Sequence, residues 1–275
     1  MARASSRPPV ISFLSDYGLK DEFVGVCHGV IAERCPLARV IDLSHAIPRH
    51  DVLAGAVVLR GSLAYMPAGV HLAVVDPGVG TSSRRAVALR AADDRLLVGP
   101  DNGLLLPAAE SLGGVAEAVD VGDSPERLQP VSRTFHGRDV FAPVAAALAA
   151  GAGLADVGAP LAPDGLVRME MPSATLESGV LRAHALLCDA FGNLTLDASP
   201  ADLRELSAEP GDRLAVRSGG VEHVARHALA FAEVAAGELL IYEDSRGSVA
   251  LAVNRGSAAE LLGAGRGDEL LVRRA

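Results

Sequence analysis

The stretch Val70-His71-Leu72-Ala73-Val74-Val75-Asp76-Pro77-Gly78-Val79-Gly80 carries the argument about the fold. Residues 70–75 are a compact β-branched run and read as a buried strand. The run stops at a polar turn. There Pro77 fixes one φ, while Gly78 and Gly80 permit unusual backbone angles and a close approach of ligand. Upstream, residues 10–14 form a shorter apolar run that ends at Ser15-Asp16, with Gly18 just after: again a strand, then a turn. Between the two runs, residues 23–31 have helical spacing, residues 39–43 read as a strand, and a Val, Leu and Ala-rich helix runs from Asp51 to near Tyr65-Met66-Pro67. Residues 86–90 and 95–98 read as further strands. This alternation predicts an N-terminal α/β domain over 10–165, with a central sheet flanked by helices.

The pattern changes between Pro160 and Gly179, where Pro163, Gly165 and Pro172 also fall. Residues 166–178 are expected to be a linker. Beyond it, over 179–275, come short strands at 180–188, 214–217, 239–242, 249–253 and 270–272, which suit a small β-barrel or sandwich. The Ala-rich stretch 145–155 reads as helix, and no internal repeat is present.

Composition narrows the function. The chain has 275 residues, 49% apolar and 21% charged, enough to bury a real core and too apolar for a disordered state. Trp is absent and aromatics are 3%, which argues against a stacking platform for single-stranded nucleic acid. The net charge of −9 is opposite to a duplex-binding footprint and mildly favours a cationic small substrate. The longest uncharged stretch, 140–155, is too short and too Gly/Pro-broken to span a membrane. Arg3 and Arg7 precede an apolar piece too short for a signal peptide. Cys27, Cys35 and Cys188 lack metal or disulfide spacing, so a reducing cytoplasm is the expected location.

Polar clusters at strand ends are the candidate site, because ligands bind outside the carboxyl ends of strands in open α/β sheets. They are Ser15-Asp16 with Asp21, then Asp76 to Gly80, then Pro100-Asp101-Asn102-Gly103. Each also reads as an ordinary turn, since Asp, Asn, Gly and Pro favour turns for local reasons. Thr134-Phe135-His136-Gly137-Arg138-Asp139 precedes a probable helix, so His136 is a base, a ligand, a cap or a core residue. The other histidines form no HxxxH or HExxH set, and no metal site is expected. Walker A, GxGxxG and GxSxG are all absent. In the second part, Asp189-Ala190-Phe191-Gly192-Asn193, Asp244-Ser245-Arg246-Gly247 and Asn254-Arg255-Gly256-Ser257 read as hairpin turns and a bulge, or as polar loops at one end of a barrel that grip a small polar ligand. An Arg beside Ser suits a carboxylate, an Asp an ammonium, and Phe191 and Phe231 a planar ring.

Taken in order, these motifs resemble the S-adenosylmethionine hydroxide adenosyltransferase family, the adenosine-forming S-adenosylmethionine hydrolases. Fluorinases and chlorinases are related and attack the same substrate with halide. The resemblance runs from about Ile11 to the C-terminus and rests on Phe13-Leu14-Ser15-Asp16-Tyr17-Gly18, the Asp76, Asp101 and His136 segments, Phe191-Gly192-Asn193, Ser245-Arg246-Gly247 and Asn254-Arg255-Gly256-Ser257. It implies an α/β domain followed by a smaller antiparallel β-barrel. It implies a homotrimer, with substrate between the N-terminal domain of one chain and the C-terminal domain of its neighbour.

The implied reaction is attack of water at ribose C5′, giving adenosine and L-methionine without a cofactor. The family's water-activating Asp, Arg and His map onto Asp76, an Arg after the Gly turn, and His136. After Gly80 this chain reads Thr81-Ser82-Ser83-Arg84-Arg85, one residue longer than the family's usual spacing. Arg84 is taken for the role, with Arg85 the alternative; on a strand the two would face opposite ways. The resemblance further gives Asp16 to the ribose hydroxyls, Asp21 and Asp189 to the methionine ammonium, and Ser245 and Arg246 to its carboxylate. Asn193 and the backbone near Asn254 and Arg255 would read adenine, with Phe191 and Phe231 against the ring. A halogenase is the alternative enzyme; the fluorinase has Tyr at the Asp76 position and Ser at the Gly137 position, and an anionic Asp76 would repel halide. A non-catalytic S-adenosylmethionine or adenosine binder would have no need of Asp76 and His136.

Overall fold

The computed structural model describes residues 8–275, so Arg3 and Arg7 lie outside the described residues. The chain divides into two compact units, 1–169 and 170–275.

In the first unit the order is β1 (Val10–Ser15), α1 (Phe23–Arg34), β2 (Arg39–Ser44), α2 (Val52–Leu63), β3 (Val70–Val74), β4 (Ala86–Ala91), β5 (Leu96–Pro100), α3 (Leu106–Ser111) and β6 (Val115–Asp120). A π-helical turn, Gly137–Phe141, then leads into α4 (Ala142–Ala149), α5 (Leu154–Val157) and β7 (Ala159–Leu161). The seven strands form one sheet in the order β2-β1-β3-β5-β4-β6-β7. The first four are parallel to one another, and β4, β6 and β7 run antiparallel to their neighbours. β1 and β3 are covered on both faces, which is why they read as unbroken apolar runs. Ile11, Phe13, Leu72 and Val74 face α1 and α4 in one core cluster. On the other face, Gly55 of α2 lies so close to Val75 and Leu104 that a β-carbon there would crowd both.

Two sequence expectations are revised here. The helix expected over 145–155 ends at Ala149 and restarts at Leu154, because Gly151 takes φ +106°, a conformation that no continuing helix allows. Arg84 and Arg85 precede β4 rather than lying on it.

The second unit holds β8 (Thr175–Glu177), β9 (Val180–Cys188), β10 (Leu194–Leu196), α6 (Pro200–Glu205), β11 (Arg213–Ser218), β12 (Val221–His227), β13 (Leu239–Glu243), β14 (Val249–Val253), α7 (Ala258–Leu262) and β15 (Glu269–Arg274). The order β10-β14-β13-β12-β11-β15-β9 closes through β10–β9 pairing into a seven-stranded barrel, with β8 appended on β9. Its pairs are antiparallel except β12–β13, which is parallel and joined through the turn at Phe231–Glu233. The inward residues Leu181, Leu196, Val216, Ile241, Leu251 and Val272 make a core of its own. The segment expected to be a plain linker is partly structured: the Val167 N–H donates to Asp101 Oδ1 at 2.8 Å, and 175–177 form β8.

Candidate active site

The chain places β2 on one side of β1 and β3 on the other, so the connections diverge above the carboxyl ends of β1 and β3. That divergence opens a crevice. Asp16 follows β1 and Asp76 follows β3, so both carboxylates are delivered to it. The Asp76 turn is closed by Val79 N–H on the Asp76 carbonyl at 3.3 Å. Gly80 sits at φ +78°, where a β-carbon would come within 2.2 Å of the Arg133 carbonyl oxygen. The backbone approach that only glycine permits thus clamps the Asp76 turn to the segment bearing His136. The third cluster supports the second: Asn102 Nδ2 donates to the Val75 carbonyl at 2.8 Å.

Asp76, Arg84 and His136 meet. Arg84 Nη2 is 3.0 Å from Asp76 Oδ2 and 2.6 Å from His136 Nδ1, and the Asp76 and Arg84 side chains are each only 6% exposed. The guanidinium also lies over the Phe141 ring, 5.4 Å from its centre. Arg85 turns away: its Nη2 pairs with Asp101 Oδ2 at 2.5 Å and donates to the Gly165 carbonyl. The Arg85 guanidinium is thus held to a different carboxylate and a backbone carbonyl, so Arg84 alone joins Asp76 and His136.

Burial pushes the Asp76 carboxyl above the usual carboxylate range, with the Arg84 charge pulling it back. Burial, and then the same Arg84 charge, hold the His136 imidazole below the usual histidine range. A guanidinium has no acceptor, so His136 Nδ1 must accept from Arg84 and the ring proton belongs on Nε2. Arg84 stands between Asp76 and His136, so the two do not share a metal ion in this arrangement.

Asp76 and His136 open on a cleft of about 340 Å³ shared with Asp16, Asp21 and Tyr17. Asp16 Oδ2 accepts the His50 backbone N–H at 2.9 Å, which fixes the carboxylate at the rim, and Asp21 is exposed. Sequence reasoning missed one wall. Tyr17, Phe23 and Phe135 pack edge to face, with Phe135 5.8 Å from Tyr17 and 5.1 Å from Phe23 between ring centres. Arg49 and His50 complete the lining. Tyr17 and Phe135 stand inside quoted motifs, so an aromatic beside each polar residue was the available signal. Arg49 and His50 precede a helix N-cap and carried none. A β-carbon on Gly137 would lie 2.0 Å from the Tyr17 hydroxyl, so this wall depends on glycine at 137.

The barrel loops are separately organised. Asp189 Oδ1 accepts the N–H groups of Phe191 and Asn193, and Asn193 Nδ2 donates to Asp189 Oδ2 at 2.8 Å. Phe191 is 78% exposed. Phe231 packs on Tyr242 with ring centres 5.2 Å apart. Arg246 Nη1 lies 3.5 Å from Asp244 Oδ2, and Ser245 sits in the same turn. Asn254 Nδ2 donates to the Val234 carbonyl, and its backbone N–H to the Glu238 carbonyl. Arg255 takes φ +59°. The expectation that these loops share one barrel end is corrected. Residues 244–248 precede β14 and 254–257 follow it, so they stand at its opposite ends. Gly192 lies against Ser257, while the Asp189 charge, with those of Asp244 and Arg246, bears on the Tyr242 hydroxyl, so the Asp189 loop reaches toward both.

A model of the SAM hydroxide adenosyltransferase N-terminal domain matches residues 11–158, and one of the C-terminal domain matches residues 183–271. The chain belongs to the SAM hydroxide adenosyltransferase family. Relatives in the family include an (R)-S-adenosyl-L-methionine hydrolase of Salinispora tropica, 53% identical over 96% of this chain and 97% of its own. Another, from Thermus thermophilus, is 40% identical over 92% and 95%. A fluorinase of Nocardia brasiliensis is 30% identical over 94% and 95%. The crystal structure of an uncharacterized conserved protein from Thermotoga maritima superposes with a TM-score of 0.90 at 39% identity, covering 96% of this chain and all, 100%, of that one. No helix among the described residues is long and apolar enough to cross a membrane.

Proposed function

We propose that this chain is an S-adenosyl-L-methionine hydrolase that releases adenosine and L-methionine by attack of water at ribose C5′. The observation that carries the reading is the Asp76–Arg84–His136 set, with its carboxylate and guanidinium buried, opening on the same cleft as Asp16. The names of the Salinispora and Thermus relatives support the (R) configuration at the sulfonium as the preferred substrate.

The sulfonium is already a cationic leaving group, so the demand falls on the nucleophile. Water adds to C5′ as the C5′–S bond breaks. The bonding pair returns to sulfur as the neutral thioether of methionine, and the water's proton passes to Asp76. Asp76 is the acceptor in this scheme because His136 Nδ1 already accepts from Arg84. His136 holds Arg84 and presents Nε2–H, which orients the water by donation. Arg84 keeps the buried Asp76 ionised. No cofactor is needed for these steps. A buried carboxylate at this point disfavours halide, which supports water over chloride or fluoride.

Substrate contacts follow the family assignment. Asp16 accepts from the ribose hydroxyls, while Asp21 and Asp189 meet the ammonium. Ser245 and Arg246 meet the carboxylate. Asn193 and the backbone at Asn254 and Arg255 read adenine, with Phe191 and Phe231 on its faces. A homotrimer would bring the N-terminal unit of one chain and the C-terminal unit of its neighbour to one substrate. Three free cysteines, two of them buried, suit the cytoplasm.

The test is kinetic. Replacing Asp76 with Ala is expected to lower kcat by roughly 10²–10⁴, the usual worth of general-base assistance, with substrate binding retained. His136→Ala should follow in the same direction. Unchanged kcat in both variants contradicts the assignment.

A further inference from the structure

A second group of ligand-type side chains lies outside the cleft lining. His28 comes from α1, Asp42 from β2, and His45 from the turn after β2. His28 Nε2 is 2.9 Å and His45 Nε2 3.0 Å from the same oxygen, Asp42 Oδ1. The candidate donor atoms all lie within 4.8 Å of one another, and no other such cluster occurs among the described residues. We propose that His28, Asp42 and His45 form a binding site for a zinc-class divalent metal ion.

Four observations carry this. Two imidazoles and a carboxylate are the donor set that suits zinc and its borderline neighbours, with water completing the coordination. The His45 side chain is only 2% exposed, and its Nε2 makes no well-directed hydrogen bond although a carboxylate oxygen is 3.0 Å away. With the ring proton on Nδ1 and donated to Ser15 Oγ, the Nε2 lone pair faces the Asp42 carboxylate side, where a cation would sit. On the far side of the ring, His45 Nδ1 is 2.7 Å from Ser15 Oγ, the outer partner that metal-binding imidazoles commonly have. Finally, the ring is braced: Phe13 packs on His45 edge to face with centres 4.7 Å apart. Donors around tetrahedral zinc stand roughly 3.3 Å apart, so each imidazole nitrogen needs to draw back from Asp42 Oδ1 by only a few tenths of an ångström.

The site touches the cleft through Ser15 and through the His45 backbone. Ser15 Oγ also accepts the Tyr17 N–H, and the Gly18 N–H donates to the His45 carbonyl at 2.7 Å. A metal ion at His45 thus stiffens the loop that carries Asp16 and Tyr17. Where the proposed hydrolysis holds, the KM for substrate moves with metal occupancy more than kcat does.

The experiment strips the full chain with chelator and titrates it with Co²⁺, followed by visible absorption and by displacement with Zn²⁺. One equivalent bound, with the d–d bands of an ion in nitrogen and oxygen ligands, is expected. His28→Ala and Asp42→Asn should each weaken uptake by roughly tenfold or more. The metal-free melting temperature of His28→Ala should stay unchanged, since His28 is only partly buried. No stoichiometric uptake by the parent chain, or uptake that survives both substitutions, overturns the proposal. Metal binding is read without substrate, so its failure leaves the hydrolase reading intact.

Discussion

Single residues carry the electrostatics of this protein. Arg84 is the buried cation next to Asp76, and a nearby cation lowers a carboxylate pKa by about 1–3 units. Replacing Arg84 with Gln removes that influence, while the burial that raises Asp76 remains. Asp76 must be ionised to accept a proton, so activity falls as pH drops through its pKa. The acid limb of the kcat profile is therefore expected to move to higher pH in Arg84→Gln; a limb that stays put contradicts the coupling. His71 makes a separate prediction about stability. It is fully buried on β3, with Nδ1 2.7 Å from Ser12 Oγ, and burial, then the Arg95 charge, push its pKa down to about 4. An unfolded chain binds the imidazole proton near pH 6.5. Between these values the unfolded state holds a proton that the folded state does not, so stability rises with pH across that window. The effect is at most about 3 kcal/mol. A His71→Leu, Ser12→Ala double variant should show a flatter melting profile between pH 6.5 and 4.

Legibility at this scale followed polarity. Asp16, Asp76 and His136 stood out because charged and polar side chains interrupt apolar runs at strand ends, and the structure brings them to one cleft. The choice between Arg84 and Arg85 was invisible in sequence, since adjacent guanidinium groups differ only in which carboxylate they find. The aromatic wall of Tyr17, Phe23 and Phe135 was missed because aromatic residues read first as core.

At the scale of elements, the turn after β3 does the positioning. Gly80 combines a left-handed backbone with a 2.2 Å approach of its absent β-carbon to the Arg133 carbonyl. Gly80→Ala meets both obstacles. The conformational strain alone is worth about 1–3 kcal/mol, and relief requires the Asp76 turn to draw back from the His136 segment. A lower melting temperature and a lower kcat are expected together; full activity would mean that the clamp is not needed. Strands such as β3, β9 and β14 were readable because apolar runs bounded by Gly, Pro and Asp have few alternatives, whereas β6 and β12, interrupted by Glu117, Glu222 and Arg226, were not read. Residues 180–188 and 249–253 match β9 and β14 end to end. The three-residue strands β7, β8 and β10 were not readable, since they pair only because longer neighbours present an open edge. The Ala-rich helix was overextended because composition outweighed Gly151, whose positive φ ends it.

For the whole molecule, the division into an α/β unit and a barrel followed from the change of pattern near Pro160, and each unit has its own core. The parallel β12–β13 pair was not foreseen, because the charged, mostly exposed β12 was not read as a strand at all. Which nucleophile the molecule uses is the central claim. The most direct measurement incubates the purified chain with (R)-S-adenosyl-L-methionine in heavy-oxygen water containing chloride and weighs the nucleoside product. Adenosine carrying one heavy oxygen at the 5′ position, with an equal amount of methionine, is the predicted result. Chlorinated nucleoside, or substrate bound and recovered intact, would contradict it.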